Sequence, residues 1–224
     1  MSLVKNLEKI LNEIPGHVRL CAVSKTKPVE MIQELYQAGQ LDFGENKVQE
    51  MTDKSTLLPS DIHWHQIGTL QRNKVKYLAS YVHLIHSIDS LKLLKEVQKE
   101  AEKNERTIDV LLQMHIAEEE TKFGLDRSEL ENLLTSPELA NMTHIRIRGL
   151  MGMATFTQNT AQIAREFGEL KKRYDELQSH YPDSSNIQID TLSMGMSGDY
   201  TIAIDQGSNL IRVGSAIFGE RIYN

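Results

Sequence analysis

The sequence has few of the features that mark secreted or membrane-spanning proteins. Its one cysteine, Cys21, excludes a disulfide within the chain and is typical of a reducing compartment. No run approaches the ~18 apolar residues that a membrane span needs. The N-terminus carries charges too regularly for a secretory signal. We therefore expect a cytoplasmic protein.

Positive charge is also scarce. The 25 lysines and arginines are outnumbered by 31 aspartates and glutamates, which gives a net charge of -6. Affinity for nucleic acid depends on clustered cationic surface, so nucleic acid is not expected as a partner. The basic run at 171–173 lies among acidic neighbours in a helical pattern and indicates a solvated helix face. No interface stands out, and a monomer is the default expectation.

Short apolar segments alternate with amphipathic ones along the chain. After a first helical pattern that ends at Pro15 and Gly16, candidate strands lie at 18–24, 41–45, 62–68, 82–88, 108–116, 144–152, 187–195 and 209–219. Helical patterns follow at 28–39, 89–104, 127–135 and 161–180, while the link at 69–81 is shorter. This alternation predicts an α/β fold with a parallel sheet, and closing that sheet into a (β/α)8 TIM barrel removes both of its edges.

The length of the chain, 224 residues, suits one barrel domain over residues 1–224, with the first helix as an addition. An open doubly wound sheet is the alternative, but no glycine-rich dinucleotide turn follows the first strand. In a barrel, the working residues lie where the strands end at their C-termini. Those strand ends therefore predict the position of a site.

Two segments near the C-terminus resemble a phosphate site. "SMGMSGD" at 193–199 follows the seventh strand, and "RVGSAIFG" at 212–219 ends the eighth. Small residues allow backbone N–H groups to approach an anion, and Ser197 and Ser215 add hydroxyl donors. Ordinary tight turns are the alternative for each segment. Both segments follow the last two strands, where barrels frequently bind phosphate, and this joint position favours an anion site.

Lys25 lies at the end of the first strand in "CAVSKTKP". Cys21, Val23 and Lys25 share one strand face by the period of two, so an inward face would bring Lys25 to the barrel mouth. A lysine there can pair with a phosphate. It can also form a Schiff base with a phosphate-bearing aldehyde, for which pyridoxal 5'-phosphate (PLP) is the obvious candidate. Position alone does not separate these readings.

Arg212 shares a strand face with Gly214. If that face points inward, the Arg212 side chain would lie inside the barrel, next to the proposed phosphate loop. Arginine has donors only, so beside a pyridine nitrogen it would keep the ring unprotonated. Pairing with a carboxylate such as Asp190 or Glu220 is the alternative.

His63 and His65 flank Trp64 on one strand face, a spacing that can ligate a metal. Since no Cys, Asp or Glu completes the set nearby in the sequence, we interpret them as core or pocket-wall histidines and predict no metal site.

Seven motifs support a family assignment: "AVSKTKP", "FGEN", "HQIGTLQRNK", "TKFG", "IRGLMGM", "LSMGMSGD" and "RVGSAIFG". They occur in this order across about residues 18–222, and together they closely resemble the pyridoxal phosphate homeostasis protein family. The resemblance implies a barrel like the N-terminal domain of alanine racemase, with PLP bound to Lys25.

The resemblance also implies roles for further residues. Ser197, Gly214 and Ser215 would hold the phosphate, and Arg212 would face the pyridine nitrogen. Asn46 of "FGEN" and the "HQIG" segment, which includes His65, would line the pocket. Lys122 of "TKFG" also matches the family and is a further candidate, with a surface loop as the alternative.

The resemblance implies a PLP-binding protein of vitamin B6 homeostasis without established catalytic turnover, which carries or buffers PLP for apo forms of PLP-dependent enzymes. Racemisation needs an acid and a base on opposite faces of the substrate, and related racemases take a tyrosine from a second domain that we do not expect here. Tyr200 lies near the phosphate loop, but helix packing is the favoured reading. A racemase-like enzyme of low activity and a cofactor-free Schiff-base aldolase are the alternatives.

Overall fold

The computed structural model describes residues 2–119, 123–181 and 186–219. Eight parallel strands form a closed barrel in chain order, and the last strand pairs with the first. The strands are β1 (Arg19–Val23), β2 (Asp42–Glu45), β3 (His63–Gln66), β4 (Leu84–Ile88), β5 (Ile108–Gln113), β6 (Ile145–Met151), β7 (Ile187–Ser193) and β8 (Leu210–Val213). The predicted TIM barrel is confirmed.

Helices connect the strands on the outside. They are α1 (Leu3–Glu13), α2 (Val29–Gln37), α3 (Val48–Leu57), α4 (Val75–Leu78), α5 (Leu91–Lys103), α6 (Arg127–Leu134), α7 (Thr160–His180), α8 (Tyr200–Asp205) and α9 (Ser215–Phe218). The predicted extra N-terminal helix is α1. Within the described ranges, no helix combines the length and the apolar character that crossing a bilayer requires.

Helix α3 was not predicted from the sequence. Its buried face carries Val48 and Met51, but the third buried residue is Lys54. A lysine on the buried face interrupts the apolar periodicity by which an amphipathic helix is recognised. The uncertain link at 69–81 contains a 3₁₀ turn at Arg72–Lys74 followed by α4.

All eight strands are shorter than predicted, and two of them lose the most at their C-terminal ends. The segment 209–219 leaves the sheet after Val213 and continues as α9, where Ile217 and Phe218 are buried. The segment 108–116 leaves the sheet after Gln113. An apolar run that continues from a strand into a buried helix or loop keeps the same composition, so composition does not reveal where the strand ends.

The barrel interior holds a small apolar core. Its members come from β1, β4, β5, β6 and β8, and they are Cys21, Leu84, Leu111, Met151 and Leu210. Side chains from five strands can contact one another only inside the barrel, so the inward face of β1 is the one that carries Cys21. Burial raises the pKa of the Cys21 thiol well above its usual value, as expected for a packed core residue.

The two ends of the barrel differ. We call the end at the strand C-termini the upper end and the other the lower end. At the lower end, Arg146 donates to Asp109 (Nε to Oδ1, 2.7 Å), and Arg148 bonds both Asp109 and Asp190. These contacts link β5, β6 and β7 around the rim. The upper end is open, and a cavity lies there.

Candidate functional site

A cavity of about 610 Å³ opens at the upper end. Its size lies within the range of small-molecule sites, which is roughly 300 to 1,000 Å³. The polar residues that line it are Lys25, Lys27, Asn46, Thr69, Gln113, Ser197, Asp199, Arg212 and Ser215. The apolar residues are Val23, Ile67, Phe123, Met153, Phe156 and Met196, and the glycines are Gly68, Gly198, Gly214 and Gly219.

The cavity brings together most of the residues that the sequence predicted for a site. Those residues are Lys25, Asn46, Ser197, Arg212, Gly214 and Ser215. They come from β8, from the loops after β1, β2, β7 and β8, and from the start of α9, which are distant in the sequence. Lys122 lies outside the described residues, so its candidate role stays a prediction.

The turn after β1 presents Lys25 to the cavity. Thr26 has a φ of 63°, in the left-handed region that β-branched residues rarely adopt. The surrounding structure supports this conformation, because the Thr26 N–H donates to Glu50 Oε1 at 2.5 Å and the Lys27 N–H donates to Ser24 O at 3.0 Å. The strained turn thus fixes where the Lys25 side chain leaves the backbone.

Lys27, the other lysine of the motif, has a different contact. Its Nζ donates to the carbonyl oxygens of Phe218 at 3.2 Å and Gly219 at 3.3 Å. This joins the turn after β1 to the C-terminal end of α9. The position of Lys27 at the rim therefore has a structural explanation.

A buried ion pair supports the turn from below. Lys54 Nζ lies 2.7 Å from Glu45 Oε1, 2.7 Å from Glu50 Oε1 and 2.9 Å from Ser24 O. Ser24 Oγ also donates to Glu45 Oε1, at 2.6 Å. Burial raises the pKa of the Glu45 carboxyl, although Lys54 and Ser24 oppose the rise. Sequence reasoning missed this network because a lysine within a helix usually points to solvent.

Hydroxyl and backbone groups form a cradle on the β7–β8 side. Ser197 Oγ accepts hydrogen bonds from the N–H groups of Gly214 at 3.1 Å and Ala216 at 3.4 Å. A Cβ added to Gly214 would lie 3.2 Å from the Val23 carbonyl oxygen. A side chain at this position would therefore crowd the backbone of β1. Because its oxygen already accepts two bonds, the Ser197 hydroxyl can donate its own proton to an anion in the cavity.

The loop that carries Ser197 is closed by short-range contacts. Gly195 has a φ of 97°, and a Cβ there would lie 2.6 Å from the Ala203 side chain. The Met196 N–H donates to Asp199 Oδ1 at 2.6 Å. These features hold the "SMGMSGD" loop in one shape against α8, and the cradle is preformed.

Arg212 lies buried at the floor of the cavity. Its Nη1 donates to Ser193 Oγ at 2.6 Å and its Nη2 to Gly152 O at 3.1 Å. Pairing with Asp190 is not what the structure shows for this guanidinium, since Asp190 bonds Arg148, and the other candidate carboxylate, Glu220, lies outside the described residues. Burial lowers the pKa of Arg212 to about 10, which leaves it protonated at neutral pH.

A hydrogen-bond chain runs from Arg212 down through the barrel. Ser193 Oγ lies 3.1 Å from His86 Nδ1, His86 Nε2 lies 2.9 Å from His65 Nδ1, and His65 Nε2 lies 2.8 Å from Asp42 Oδ1. Burial lowers the pKa of both histidines, so both are neutral. Arginine only donates and a carboxylate only accepts, so every donor in the chain points toward Asp42 and both imidazoles carry their proton on Nε2.

His65 does not line the cavity, although it was expected there. It is fully buried and contacts His86 and Asp42 instead. The strand β3 ends at Gln66, so the residues that reach the mouth are Ile67 and those that follow it. On the same inward face, His65 lies two positions lower, inside the barrel.

The sequence did not identify Gln113 or the apolar residues that line the cavity as site residues. Gln113 is the last residue of β5, and its Nε2 donates to Phe123 O at 2.8 Å. The fifth strand was predicted to continue to residue 116, three residues beyond its end in the structure. His115 lies after the strand and has its Nε2 3.0 Å from Glu119 O. The signal that would have found Gln113 is a lone amide at the end of an apolar run.

Comparison with known proteins gives consistent matches over the whole chain. The family model for "Alanine racemase, N-terminal domain" matches residues 2–222. A pyridoxal phosphate homeostasis protein of Aquifex aeolicus is 42% identical, with 92% of this chain and 88% of the relative covered. One of Haemophilus influenzae is 39% identical, with 95% and 89% covered.

Solved structures also match this chain. PipY of Synechococcus elongatus PCC7942, solved with PLP bound, is 35% identical and has a TM-score of 0.88, with 97% of this chain and 100% of that one covered. Alanine racemase from Bartonella henselae is 16% identical with a TM-score of 0.73, and 99% of this chain covers 60% of that one. The second likeness concerns the fold alone.

Proposed function

The chain belongs to the family of pyridoxal phosphate homeostasis proteins, and from this premise we propose that it binds PLP at the upper end of the barrel and serves vitamin B6 homeostasis. The observation that carries the proposal is the arrangement of the cavity. One space of about 610 Å³ is lined by an amine at Lys25, a hydroxyl and N–H cradle at Ser197, Gly214 and Ser215, and a guanidinium at Arg212.

These residues fit the chemical groups of PLP. The amine of Lys25 is the partner that an aldehyde requires, and the cradle suits a phosphate. Arg212 suits an unprotonated ring nitrogen, because it can only donate. When bound, PLP supplies an aldehyde that captures amines and a conjugated ring that withdraws electrons from them.

We propose that Lys25 holds the aldehyde carbon covalently while Ser197, Gly214 and Ser215 hold the phosphate. Lys54 bonds both Ser24 O and Glu45 and so holds the backbone directly before Lys25 in place. Arg212 would donate to the ring nitrogen and would thereby keep that nitrogen unprotonated. An unprotonated ring withdraws electrons weakly, which favours holding the cofactor over activating a bound amine.

The proposed role is that of a carrier or buffer of PLP, which passes it to apo forms of PLP-dependent enzymes. Among the described residues that line the cavity there is no tyrosine and no histidine. Tyr200, the candidate base, donates from its hydroxyl to Glu13 Oε2 at 2.8 Å, toward α1. Racemisation needs an acid and a base on opposite faces of the substrate, and the described lining offers neither a tyrosine nor a histidine for either role.

Hydride trapping tests the proposal. Protein loaded with PLP and reduced with borohydride is digested, and mass spectrometry locates the pyridoxyl group. We expect the adduct on Lys25 and its loss in Lys25→Ala, together with loss of the visible absorption. Lys27→Ala is the matched control and should keep the adduct on Lys25.

An adduct on Lys27 or on no lysine would contradict the proposal. The same loaded samples decide between carrier and enzyme when they are incubated with L-alanine and the products are separated on a chiral column. Inversion faster than that by free PLP, abolished in Lys25→Ala, would favour the racemase-like alternative.

A further inference from the structure

Three potential metal ligands meet at the lower end of the barrel. Asp42 begins β2, His63 begins β3, and His83 directly precedes β4. One ligand atom from each lies within 4.8 Å of the others. Asp42 and His63 are partners in the β2–β3 register, and the His83 N–H donates to Trp64 O at 2.9 Å. The sheet register itself therefore brings the three side chains together.

The ligand atoms lie somewhat farther apart than they would around a bound ion. His63 Nδ1 lies 3.6 Å from Asp42 Oδ1. The rings of His63 and His83 stack with centroids 4.2 Å apart and an interplanar angle of 14°. Tetrahedral zinc with bonds of roughly 2.1 Å places its ligand atoms about 3.4 Å apart. Modest side-chain rotations would reach that spacing.

Solvent has access to the cluster, so an ion can enter. The side chain of His63 is 41% exposed and that of Asp42 is 22% exposed. Partial exposure also leaves room for the rotations that coordination needs. Two imidazoles and one carboxylate form a ligand set typical of Zn²⁺ and other divalent transition metals, with a further position left for water.

The carboxylate already has the support that metal ligands need. His65 Nε2–H donates to Asp42 Oδ1 at 2.8 Å and fixes the plane of the carboxylate. An ionised carboxylate has about four acceptor positions, so this bond leaves capacity for an ion. Metal-ligating groups are commonly oriented in this way by buried hydrogen bonds.

The cations of the lower end have other partners. Arg19 Nη2 donates to Thr191 Oγ1 at 3.1 Å. Arg146 and Arg148 bond Asp109, and Arg148 also bonds Asp190. The carboxylates of β5 and β7 are thus neutralised by arginines, while that of Asp42 faces imidazoles.

We propose that Asp42, His63 and His83 form a binding site for one divalent transition-metal cation, with Zn²⁺ as the representative ion. The site lies at the opposite end of the barrel from the cavity and does not depend on the proposed function. An ion there would join the starts of β2 and β4 through β3, and it would strengthen the lower end where these strands carry no arginine–carboxylate pair among the described residues.

Calorimetry tests the site on the untagged full-length protein with its cofactor, after metals are removed by chelation. Titration with Zn²⁺ should show one ion bound per chain. His63→Ala and His83→Ala should each lower the affinity more than about 10-fold, since even outer-shell changes often cost that much. His17→Ala removes an exposed histidine elsewhere and is the matched control, with unchanged affinity expected.

Two further measurements keep the test independent of folding defects in the variants. Thermal unfolding without metal shows whether each variant folds. Anomalous diffraction from wild-type crystals soaked in Zn²⁺ should show a peak between Asp42, His63 and His83. Absence of binding, a peak only at other residues, or affinity unchanged in both variants would overturn the proposal.

Discussion

The two ends of the barrel use the same kinds of residues for different purposes. At the upper end, Lys25 and Arg212 converge on a cavity, and the pair of Lys54 with Glu45 that supports it is buried. At the lower end, charged groups bond one another across the rim and remain partly exposed. The comparison shows that residue type alone does not decide the role of a polar group. Its burial and its available partners decide whether it lines the cavity or links neighbouring strands.

Between the two ends lies an apolar interior crossed by one polar chain. The core around Cys21 and Leu111 separates the ends. His86 and Ser193 belong to the chain that connects Arg212 with Asp42.

Replacing Lys54 should have the largest effect. Lys54→Met removes the ammonium from Glu45 and leaves a fully buried carboxylate without its charged partner. Breaking a buried pair in this way costs about 3 to 5 kcal/mol. We expect a loss of that size in the free energy of unfolding, measured by urea denaturation at pH 7.

Arg146→Met is the matched change at the lower end. Arg146 pairs with Asp109 at the same 2.7 Å, but its side chain is 36% exposed and Arg148 remains bonded to Asp109. We expect a loss of only about 1 kcal/mol. Equal losses in the two variants would show that burial does not distinguish the ends.

The hydrogen-bond chain between the two ends should make the stability of the protein depend on pH. Burial lowers the pKa of His86 well below its usual value, so the folded protein keeps it neutral where the unfolded chain protonates it, below about pH 6.5. Stability is therefore fully present above that pH and falls as pH drops through it. Between pH 8 and pH 5 this histidine should account for a loss of about 2 kcal/mol.

His86→Gln should remove that part of the pH dependence, whatever its effect on stability at pH 8. Urea denaturation of wild type and variant at several pH values measures the difference in slope. The exposed His180→Gln serves as control and should leave the slope unchanged. A variant with the wild-type slope would mean that His86 is not kept neutral in the folded protein.

The smallest effect should come from relieving backbone strain. Thr26, in the upper-end turn, and Glu105, in the lower-end link before β5, are the described non-glycine residues with positive φ, at 63° and 52°. Glycine adopts this region without steric cost, and each substitution should change the free energy of unfolding by at most about 1 kcal/mol. Urea denaturation measures both.

Only the upper-end change should affect the ligand. Thr26→Gly loosens the turn that presents Lys25, and we expect PLP affinity to weaken about fivefold, the equivalent of about 1 kcal/mol. Glu105→Gly should leave that affinity unchanged. Spectroscopic titration with PLP measures both, and equal affinities in the two variants would argue against a role for the strained turn.

Much of the fold could be predicted from the sequence. The eight strands were found because β-periodicity and apolar runs are local properties. The same local period placed Lys25 on the face that carries Cys21, and that face points inward. The ends of strands were less accurate, as at Gln113 and Val213, because apolar composition continues beyond them.

The polar networks could not be predicted. Lys54 was hidden within an unpredicted helix, and the histidines of β3 were judged without their neighbours. His63 and His65 lacked a nearby carboxylate in the sequence, yet β2 provides Asp42 to both. Partners on adjacent strands lie about 20 residues apart in the chain, so no local spacing reveals them.

The amino-acid sequence by itself determined the alternation of strands and helices, the period that puts Lys25 on the face of Cys21, and the small residues of the β7–β8 loops. Only the tertiary structure decided that His65 lies inside the barrel, that Glu45 has Lys54 as its partner, and that Asp42 meets His63 and His83. The physical reason is the distance along the chain over which each effect acts. Periodicity and turn propensity act between near neighbours, whereas pairing and burial of polar groups depend on which strands lie side by side.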